Sequence, residues 1–180
     1  MDSEAPGGEK MVWEISNRAD PRARELADRH YNRQKPGTPQ FVPPGRCLVL
    51  YAETETGRAF WVTSWPYAQY VHHAWGGAWI CSAFRNEGAG IASEMIKEAV
   101  SATIEYFGNP PEQGFVTFID RQKVKPTMIH GKPHWGRTYE LAGFRAVGET
   151  KGGLLALQLL PEDMPKNEKG LSLNAILGGR

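Results

Sequence analysis

The sequence predicts a single α/β domain built on a mixed, mostly antiparallel central sheet that is flanked by helices. Three observations lead to this class. The chain has 180 residues, 41% of them apolar, which suffices for one core but not for two ordinary domains. Short segments rich in β-branched and aromatic residues are typical of strands. Segments with helical periodicity interrupt those strands, a pattern that favours helices packed against a sheet.

The N-terminal part predicts a strand, a helix and a loop. Residues 11–16 alternate between apolar and polar and indicate a first strand. Residues 19–32 predict a helix because apolar residues recur at helical spacing, while Asn17 could cap it and Pro21 suits its first turn. Residues 33–46 contain four prolines and two glycines, so we expect a stiff loop there.

A meander and a long helix follow. Residues 47–53 and 59–65 predict two strands joined by a hairpin turn. After an aromatic, histidine-rich connection, residues 78–85 return to strand character. Residues 85–90 read Arg-Asn-Glu-Gly-Ala-Gly, which we call the glycine loop, and they lead into an amphipathic helix over residues 91–107.

The C-terminal part completes the sheet. The remaining predicted elements are a strand, a helix closed by Gly143 and two further strands, at residues 114–120, 134–141, 145–150 and 154–160. We expect residues 1–10 to be flexible and residues 161–180 to be loosely ordered, which leaves residues 11–160 as the domain.

Charge and cysteine content exclude several classes of protein. Lys and Arg total 21 against 20 Asp and Glu, so the chain is not a strongly basic protein that coats nucleic acid. Basic residues gather locally, with seven against three acidic in residues 18–46 and five against none in residues 121–139. We expect no membrane span and no secretory signal, because no apolar run is long enough. Cys47 and Cys81 form no disulfide framework, so we expect both to be buried and reduced in a cytoplasmic protein.

The glycine loop is the first candidate site. A strand, then glycines, then a helix N-terminus presents backbone N–H groups that bind phosphate. Gly88 and Gly90 would let a pyrophosphate approach the backbone, and Arg85 could add a charge; an ordinary tight turn is the alternative interpretation. Neither Lys-Ser/Thr nor a third glycine follows, which disfavours P-loop nucleotide hydrolases and dinucleotide folds.

Two motifs resemble the GNAT superfamily of acyl-CoA-dependent N-acyltransferases. RNEGAGIA is similar to that family's phosphate loop, and TYELAGF, at residues 138–144, is similar to its later Tyr-x-x-x-Gly-Phe helix end. The order of elements matches as well, over residues 11–160. The resemblance implies an enzyme that takes acetyl-CoA or another acyl-CoA as donor and orients its pantetheine arm on a splayed sheet.

The same resemblance assigns residues to the donor. It implies that Gly88, Ala89 and Gly90 bind the CoA pyrophosphate, with Arg85 beside them. It also implies that Tyr139 lies near the thioester sulfur and acts as general acid to the leaving thiolate. A core tyrosine that covers the sheet is the alternative interpretation of Tyr139.

An amine acceptor also needs a group that takes its proton. Histidine is a suitable general base because its ordinary pKa lies near neutral pH. Asp120 is a candidate because it ends a central strand, where open α/β sheets bind ligands. The candidates are His30, Tyr31, His72, His73, Asp120, His130 and His134.

A narrower resemblance rests on three of these residues together with Arg85. His30-Tyr31 on the first helix, the Pro/Gly loop after it, Arg85 and Asp120 are similar, in this order, to the Mom family, a phage DNA-modification family with a GNAT-like fold. That family elaborates the exocyclic amine of adenine in DNA. The resemblance implies that His30, Tyr31 and Asp120 are active-site residues and that the product is more elaborate than an acetyl group.

An enzyme that acts on a base in DNA must take the base out of the stack and hold the flanking phosphates. Basic and aromatic side chains along the chain are candidates for these contacts, although aromatics packed on the sheet and solvated charges are the alternative. The candidate DNA-binding residues are Arg33, Lys35, Trp65, Tyr67, Arg121, Lys123, Lys125 and Trp135. No recognisable metal spacing is present, so a metal stays an open possibility.

Three functions make different structural predictions. A Mom-type enzyme brings His30, Tyr31 and Asp120 together near the glycine loop, beneath a basic and aromatic rim. An ordinary acetyltransferase of a small or protein amine has an acidic or enclosed pocket, and His30 and Tyr31 face away. A non-enzymatic relative has a blocked groove, with an aromatic side chain from residues 65–75 filling it.

Overall fold

A seven-stranded, mostly antiparallel sheet forms the centre of the protein. The computed structural model describes residues 12–33, 36–37, 42, 45–66 and 71–166. Its elements are β1 (Glu14–Ile15), α1 (Pro21–Asp28), β2 (Arg46–Thr54), β3 (Gly57–Trp65), β4 (Trp79–Glu87), α2 (Ala92–Phe107), β5 (Phe115–Ile119), β6 (Thr127–Ile129), β7 (Lys132–His134), α3 (Arg137–Leu141), β8 (Arg145–Glu149), β9 (Leu155–Leu159) and a short 3₁₀ helix (Pro161–Asp163). The predicted α/β class with a mixed sheet is confirmed, although the described residues contain far more strand than helix.

The strands lie in the order β1-β2-β3-β4-β5-β9-β8, and β6 pairs with β7 in a separate hairpin. Only β4 and β5 are parallel within the seven-stranded sheet; its other neighbours are antiparallel. A parallel pair needs a crossover connection, and α2 supplies it.

Both faces of the sheet carry apolar clusters. One cluster lies under α2, whose apolar residues recur at helical spacing and bury Met95, Ile96 and Val100 against Trp61 and the strands beside it. The other lies under α1, which buries Ala23, Leu26 and Ala27 against Tyr51, Phe60 and their neighbours. α1 and α2 therefore cover opposite faces of the sheet.

A β-bulge in β4 opens the sheet at one point. Val62 pairs with Ala83 but Thr63 pairs with Cys81, so Ser82 is an extra residue with no register partner in β3, although its hydroxyl lies 2.6 Å from that of Ser64. β4 pairs with β5 only up to Cys81, which lies opposite Thr117, and the two strands then part. The bulge thus stands at the place where the parallel pair separates.

α1 is shorter than the predicted helix at residues 19–32. Its N-cap is Asp20, which accepts a hydrogen bond from the Arg22 N–H, and not Asn17, whose side chain accepts from the Ala19 N–H in the preceding turn. The helix ends at Asp28 because Arg29 caps it and the next residues form turns. His30 and Tyr31 therefore follow the helix instead of lying on it.

The hairpin of β6 and β7 was not predicted. Its turn is His130-Gly131, with φ of +49° and +75°, a backbone that favours glycine at the second position. Because the hairpin takes residues up to His134, α3 begins only at Arg137, later than the predicted residue 134.

Other boundaries differ from the prediction by one to three residues, and two differences matter for packing. β1 spans only Glu14–Ile15, and the packed chain continues to Met164, which is buried in the core beneath α2. Cys81 is buried and Cys47 partly buried, and both are free thiols. No helix in the described residues combines the length and apolar character needed to cross a membrane.

Candidate functional site

The parting of β4 and β5 opens a cavity of about 560 Å³, which we call the main cavity. β4 lines one side from Cys81 to Asn86, and β5 lines the other from Thr117 to Ile119. The chain that follows α1 covers one end, while α3 and the hairpin of β6 and β7 cover the other. A cavity of this volume falls within the range of small-molecule sites.

A three-residue segment, His30-Tyr31-Asn32, bridges the two separated strands. The Asn32 Nδ2 donates a hydrogen bond to the Ser82 carbonyl of β4 over 2.7 Å, and the Tyr31 hydroxyl donates to the Phe118 carbonyl of β5 over 3.2 Å. Strands that part need other partners for their carbonyl groups, and these side chains provide them. The separation of the strands therefore holds His30 and Tyr31 over the cavity.

The His30 imidazole is held in a partly buried position. Its Nδ1 lies 2.6 Å from the Asn32 Oδ1, and its ring stacks on Tyr31 with 4.7 Å between centroids. Burial lowers the pKa of His30 and the charge of Arg85 lowers it further, although hydrogen bonds with Asn32 and the Phe84 backbone oppose this. A neutral imidazole near pH 7 is available as a proton acceptor.

The lining of the main cavity also contains a tyrosine and a thiol. The Tyr139 hydroxyl lies 3.6 Å from the Cys81 Sγ, and the Tyr139 ring packs against Phe144. Burial raises the pKa of Tyr139 well above its usual value, with Cys81 adding to the rise, and burial raises the pKa of Cys81 to about 12. Both groups are protonated near neutral pH, so Tyr139 can donate a proton and Cys81 is a poor nucleophile.

The charged side chains that line the main cavity are all cationic. They are Arg29, Arg85, Lys123, Lys125 and Arg137, and no Asp or Glu of the described residues lies among them. Such a lining suits a ligand that carries phosphate groups.

Glu87 does not line the main cavity, but it forms ion pairs with two of these cations. Arg29 contacts it through two hydrogen bonds, of 2.7 and 2.8 Å, and the Arg85 Nε lies 2.5 Å from its carboxylate. The Arg29 hydrogen bonds, followed by those of Arg85, lower the pKa of Glu87 to about 2 against its burial. Arg85 also donates to the Arg29 carbonyl, immediately before His30, over 3.1 Å. Arg85 therefore positions the bridging segment as well as lining the cavity.

The glycine loop packs on the turn between β2 and β3. Gly88 has φ of +86°, and a Cβ there would lie 2.8 Å from the Thr56 carbonyl oxygen. The Ala89 N–H donates to the Asn86 side chain, which in turn donates to the Gly90 carbonyl. The Ala89 amide thus has an internal partner, and Gly88, Ala89 and Gly90 do not line the main cavity.

The first turn of α2 offers the free amides instead. No side chain caps this helix, and its first main-chain bond runs from the Met95 N–H to the Ile91 carbonyl. Ala92, at its start, lines the main cavity. The residues that would meet a phosphate therefore lie just after the glycine loop.

Asp120 lies beside the main cavity and not in it. It lines a second, smaller cavity of about 290 Å³ that shares Tyr31, Phe118 and Lys123 with the main cavity. His30, Tyr31, Asp120 and Tyr139 thus surround two adjoining cavities at the open end of β4 and β5.

The candidate DNA-binding residues are scattered. Lys123 and Lys125 line the main cavity, whereas Arg33 pairs with Asp28 and Arg121 with Glu149. Trp65 packs on Trp79 and Phe107 at the other end of β4, and the Trp135 indole donates to the Val124 carbonyl in the core. Lys35 and Tyr67 lie outside the described residues.

Sequence reasoning missed Asn32, Ser82 and Phe118. Asn32 follows the predicted pair directly, so its position was a usable signal. The roles of Ser82 and Phe118 depend on the bulge and on the end of strand pairing, which no local pattern marks.

Neither a metal cluster nor a relative identifies the site. In the parts of the chain that the structure describes, no three histidine, cysteine or carboxylate side chains gather to hold a metal ion. No family model, curated protein or solved structure matches this chain significantly.

Proposed function

We propose that this protein is a GNAT-fold transferase of the Mom type, which uses an acyl-CoA donor and modifies the exocyclic amine of adenine in DNA. One observation carries the proposal. His30 and Tyr31 line the same cavity as Tyr139, and the charged side chains of that lining are all cationic. An ordinary acetyltransferase was expected to turn that pair away and to present an acidic or enclosed pocket.

The main cavity suits the donor. CoA carries several phosphate groups, and Lys123, Lys125 and Arg137 are the lining cations not bound to Glu87. The uncapped first turn of α2 adds backbone N–H groups at the cavity edge, where phosphate binds favourably. Backbone groups that the parting of β4 and β5 leaves without strand partners would hold an extended pantetheine arm.

The side chains supply both proton transfers. The acceptor nitrogen attacks the thioester carbonyl carbon, a C–N bond forms and the C–S bond breaks. His30 or Asp120 takes the proton that the amine loses, and Tyr139 gives a proton to the leaving thiolate. The directions of their pKa shifts keep His30 neutral and Tyr139 protonated at pH 7, which are the forms that these two tasks require.

Mass spectrometry of nucleosides tests the proposal. Plasmid DNA is isolated after co-expression with the native chain, with His30→Ala, with Asp120→Ala, or with His72→Ala. His72 serves as the control because it is exposed and lines neither cavity. We expect a modified deoxyadenosine with the native chain and with His72→Ala, and none with the other two variants.

Thermal unfolding with and without acetyl-CoA shows whether each variant is folded and binds the donor. Unmodified DNA from a native chain that still binds acetyl-CoA would overturn the DNA acceptor and favour a small or protein amine. A native chain that binds no acyl-CoA would overturn the transferase itself.

A further inference from the structure

The smaller cavity lies on the sheet face that α1 covers, next to the main cavity. Ile80, Ser82 and Phe118 line it from the sheet, and Tyr31 lines both this cavity and the main cavity. Its volume of about 290 Å³ is about half that of the main cavity, which suits a single aromatic heterocycle better than a whole cofactor.

The Phe118 ring forms an aromatic wall of this cavity. His73 and Trp75 pack against it, with ring centroids 5.0 and 5.9 Å away, and the Tyr31 hydroxyl holds its carbonyl. Phe118 is nevertheless only half-buried, although it lies on a central strand between buried Thr117 and Ile119. A half-buried ring that lines the cavity and is supported by two other rings is a candidate stacking surface for a base.

Asp120 provides a hydrogen-bond acceptor in the same cavity. Its Oδ1 accepts from the Gln122 N–H over 3.0 Å, and its Oδ2 lies 3.9 Å from the Lys123 Nζ. No other carboxylate of the described residues lines either cavity. Oδ2 can therefore accept a hydrogen bond from an amine. Adenine carries such an amine where thymine carries a carbonyl oxygen.

We propose that the smaller cavity is the acceptor-base subsite, in which an extruded adenine stacks on Phe118 with its exocyclic amine directed to Asp120. This inference rests on the proposed function and names where its acceptor binds. Tyr31 and Lys123 line both cavities, so both would contact the base and the donor.

Binding of short single strands tests the subsite without requiring turnover, because a single strand removes the cost of extruding the base. The probes are fluorescein-labelled oligothymidylates with one central adenine, one central purine that lacks the amine, one cytosine, or one abasic position. We expect fluorescence anisotropy to show adenine bound about tenfold more tightly than the abasic position, as stacking on an aromatic side chain gives. We also expect adenine to bind about tenfold more tightly than the amine-free purine, because the carboxylate loses its partner.

Two variants with matched controls locate the preference. Phe118→Leu keeps an apolar side chain but removes the stacking face, so the preference over the abasic strand should disappear, while Tyr106→Leu on α2 should keep it. Asp120→Asn keeps the bond from Gln122 through its Oδ1 and places an N–H donor where Oδ2 was, so the preference over the amine-free purine should disappear. Glu162→Gln is its exposed control.

Several outcomes would overturn the subsite. They are equal affinity of the native chain for adenine and abasic strands, tighter binding of cytosine than of adenine, no binding of any strand, or an adenine preference that survives in Phe118→Leu. The proposed function fails separately, by the absence of modified deoxyadenosine. An adenine preference without modification would keep the subsite and reject the modification of DNA. Modification without a preference would keep the proposed function and reject the subsite.

Discussion

The parallel pair of β4 and β5 differs sharply between its two ends. At the start, Trp79 lies opposite Phe115, and both are fully buried among aromatic rings that include Trp61 and Phe144. Beyond Cys81 the strands separate around two cavities, and Phe118 and the residues of β4 from Ser82 to Asn86 are partly exposed. The same two strands thus form a fully buried aromatic core at one end and border two cavities at the other.

The comparison shows how a rigid sheet can hold an opening without collapse. The aromatic core fixes the strands at the closed end, while the bulge at Ser82 and the bridging segment fix their separation at the open end. Side chains at the closed end should therefore determine stability, and side chains at the open end should determine binding and chemistry.

Two phenylalanines of β5 give the largest expected contrast. Phe115→Ala removes a fully buried ring and should cost about 3–5 kcal/mol of unfolding free energy. Phe118→Ala, three residues further along the same strand, should cost about 1 kcal/mol because its ring is only half-buried. Urea denaturation followed by tryptophan fluorescence measures both. Similar losses of unfolding free energy at the two positions would contradict the division of β5 into a stabilising end and a binding end.

The next largest effect concerns His30. If it is the base, His30→Ala should lower the transfer rate by about 100-fold while the unfolding free energy changes little, because general base catalysis typically contributes at least that factor. The rate of the native chain should fall as pH decreases through a pKa below 6.5, since burial and Arg85 lower the pKa of His30. Arg85→Gln should raise that pKa by removing a positive charge.

NMR titration of the His30 ring measures this pKa independently of turnover. A pKa above 6.5 in the native chain would contradict the buried, neutral imidazole.

Much of this fold could be predicted from the sequence, because most of its strands and α2 follow local periodicity. Periodicity predicted the order of most elements, the long helix and the two strands that flank it. The hairpin at His130-Gly131 was not, since its strands are three residues each and contain Pro133.

The candidate site was predicted only as a set of residues. His30, Tyr31, Asp120 and Tyr139 were chosen from residue chemistry and resemblance, and the structure places them around adjoining cavities. What could not be predicted is the bulge at Ser82, which depends on the pairing of distant strands. The glycine loop shows the opposite case. Its sequence pattern is typical of phosphate binding, but in the structure Gly88 packs closely against Thr56.

Substitutions in the glycine loop separate its packing role from its predicted phosphate-binding role. We expect an intermediate effect on the unfolding free energy. Gly88→Ala should cost about 2 kcal/mol, because φ is +86° and the new Cβ would lie 2.8 Å from the Thr56 carbonyl oxygen. Gly90→Ala should change the unfolding free energy by less than about 0.5 kcal/mol, since the Met95 Sδ, 3.5 Å from the new Cβ, is at ordinary contact distance. Thermal denaturation of both variants tests the pair, and equal losses would contradict the packing role of Gly88.

The smallest expected effect comes from Glu87, which ties the open end of β4 to the chain before His30. Glu87→Gln should cost about 1 kcal/mol at pH 7, because the ion pairs with Arg29 and Arg85 are partly exposed and screened by solvent. The carboxylate has a pKa of about 2 against an ordinary 4.5, so its contribution is complete above pH 4.5 and disappears as pH falls towards 2. The unfolding free energies of native and variant chains should therefore converge over that interval. Glu94→Gln, in an exposed pair with Lys97, is the control, and a difference that persisted at pH 2 would show that Glu87 acts through packing instead of charge.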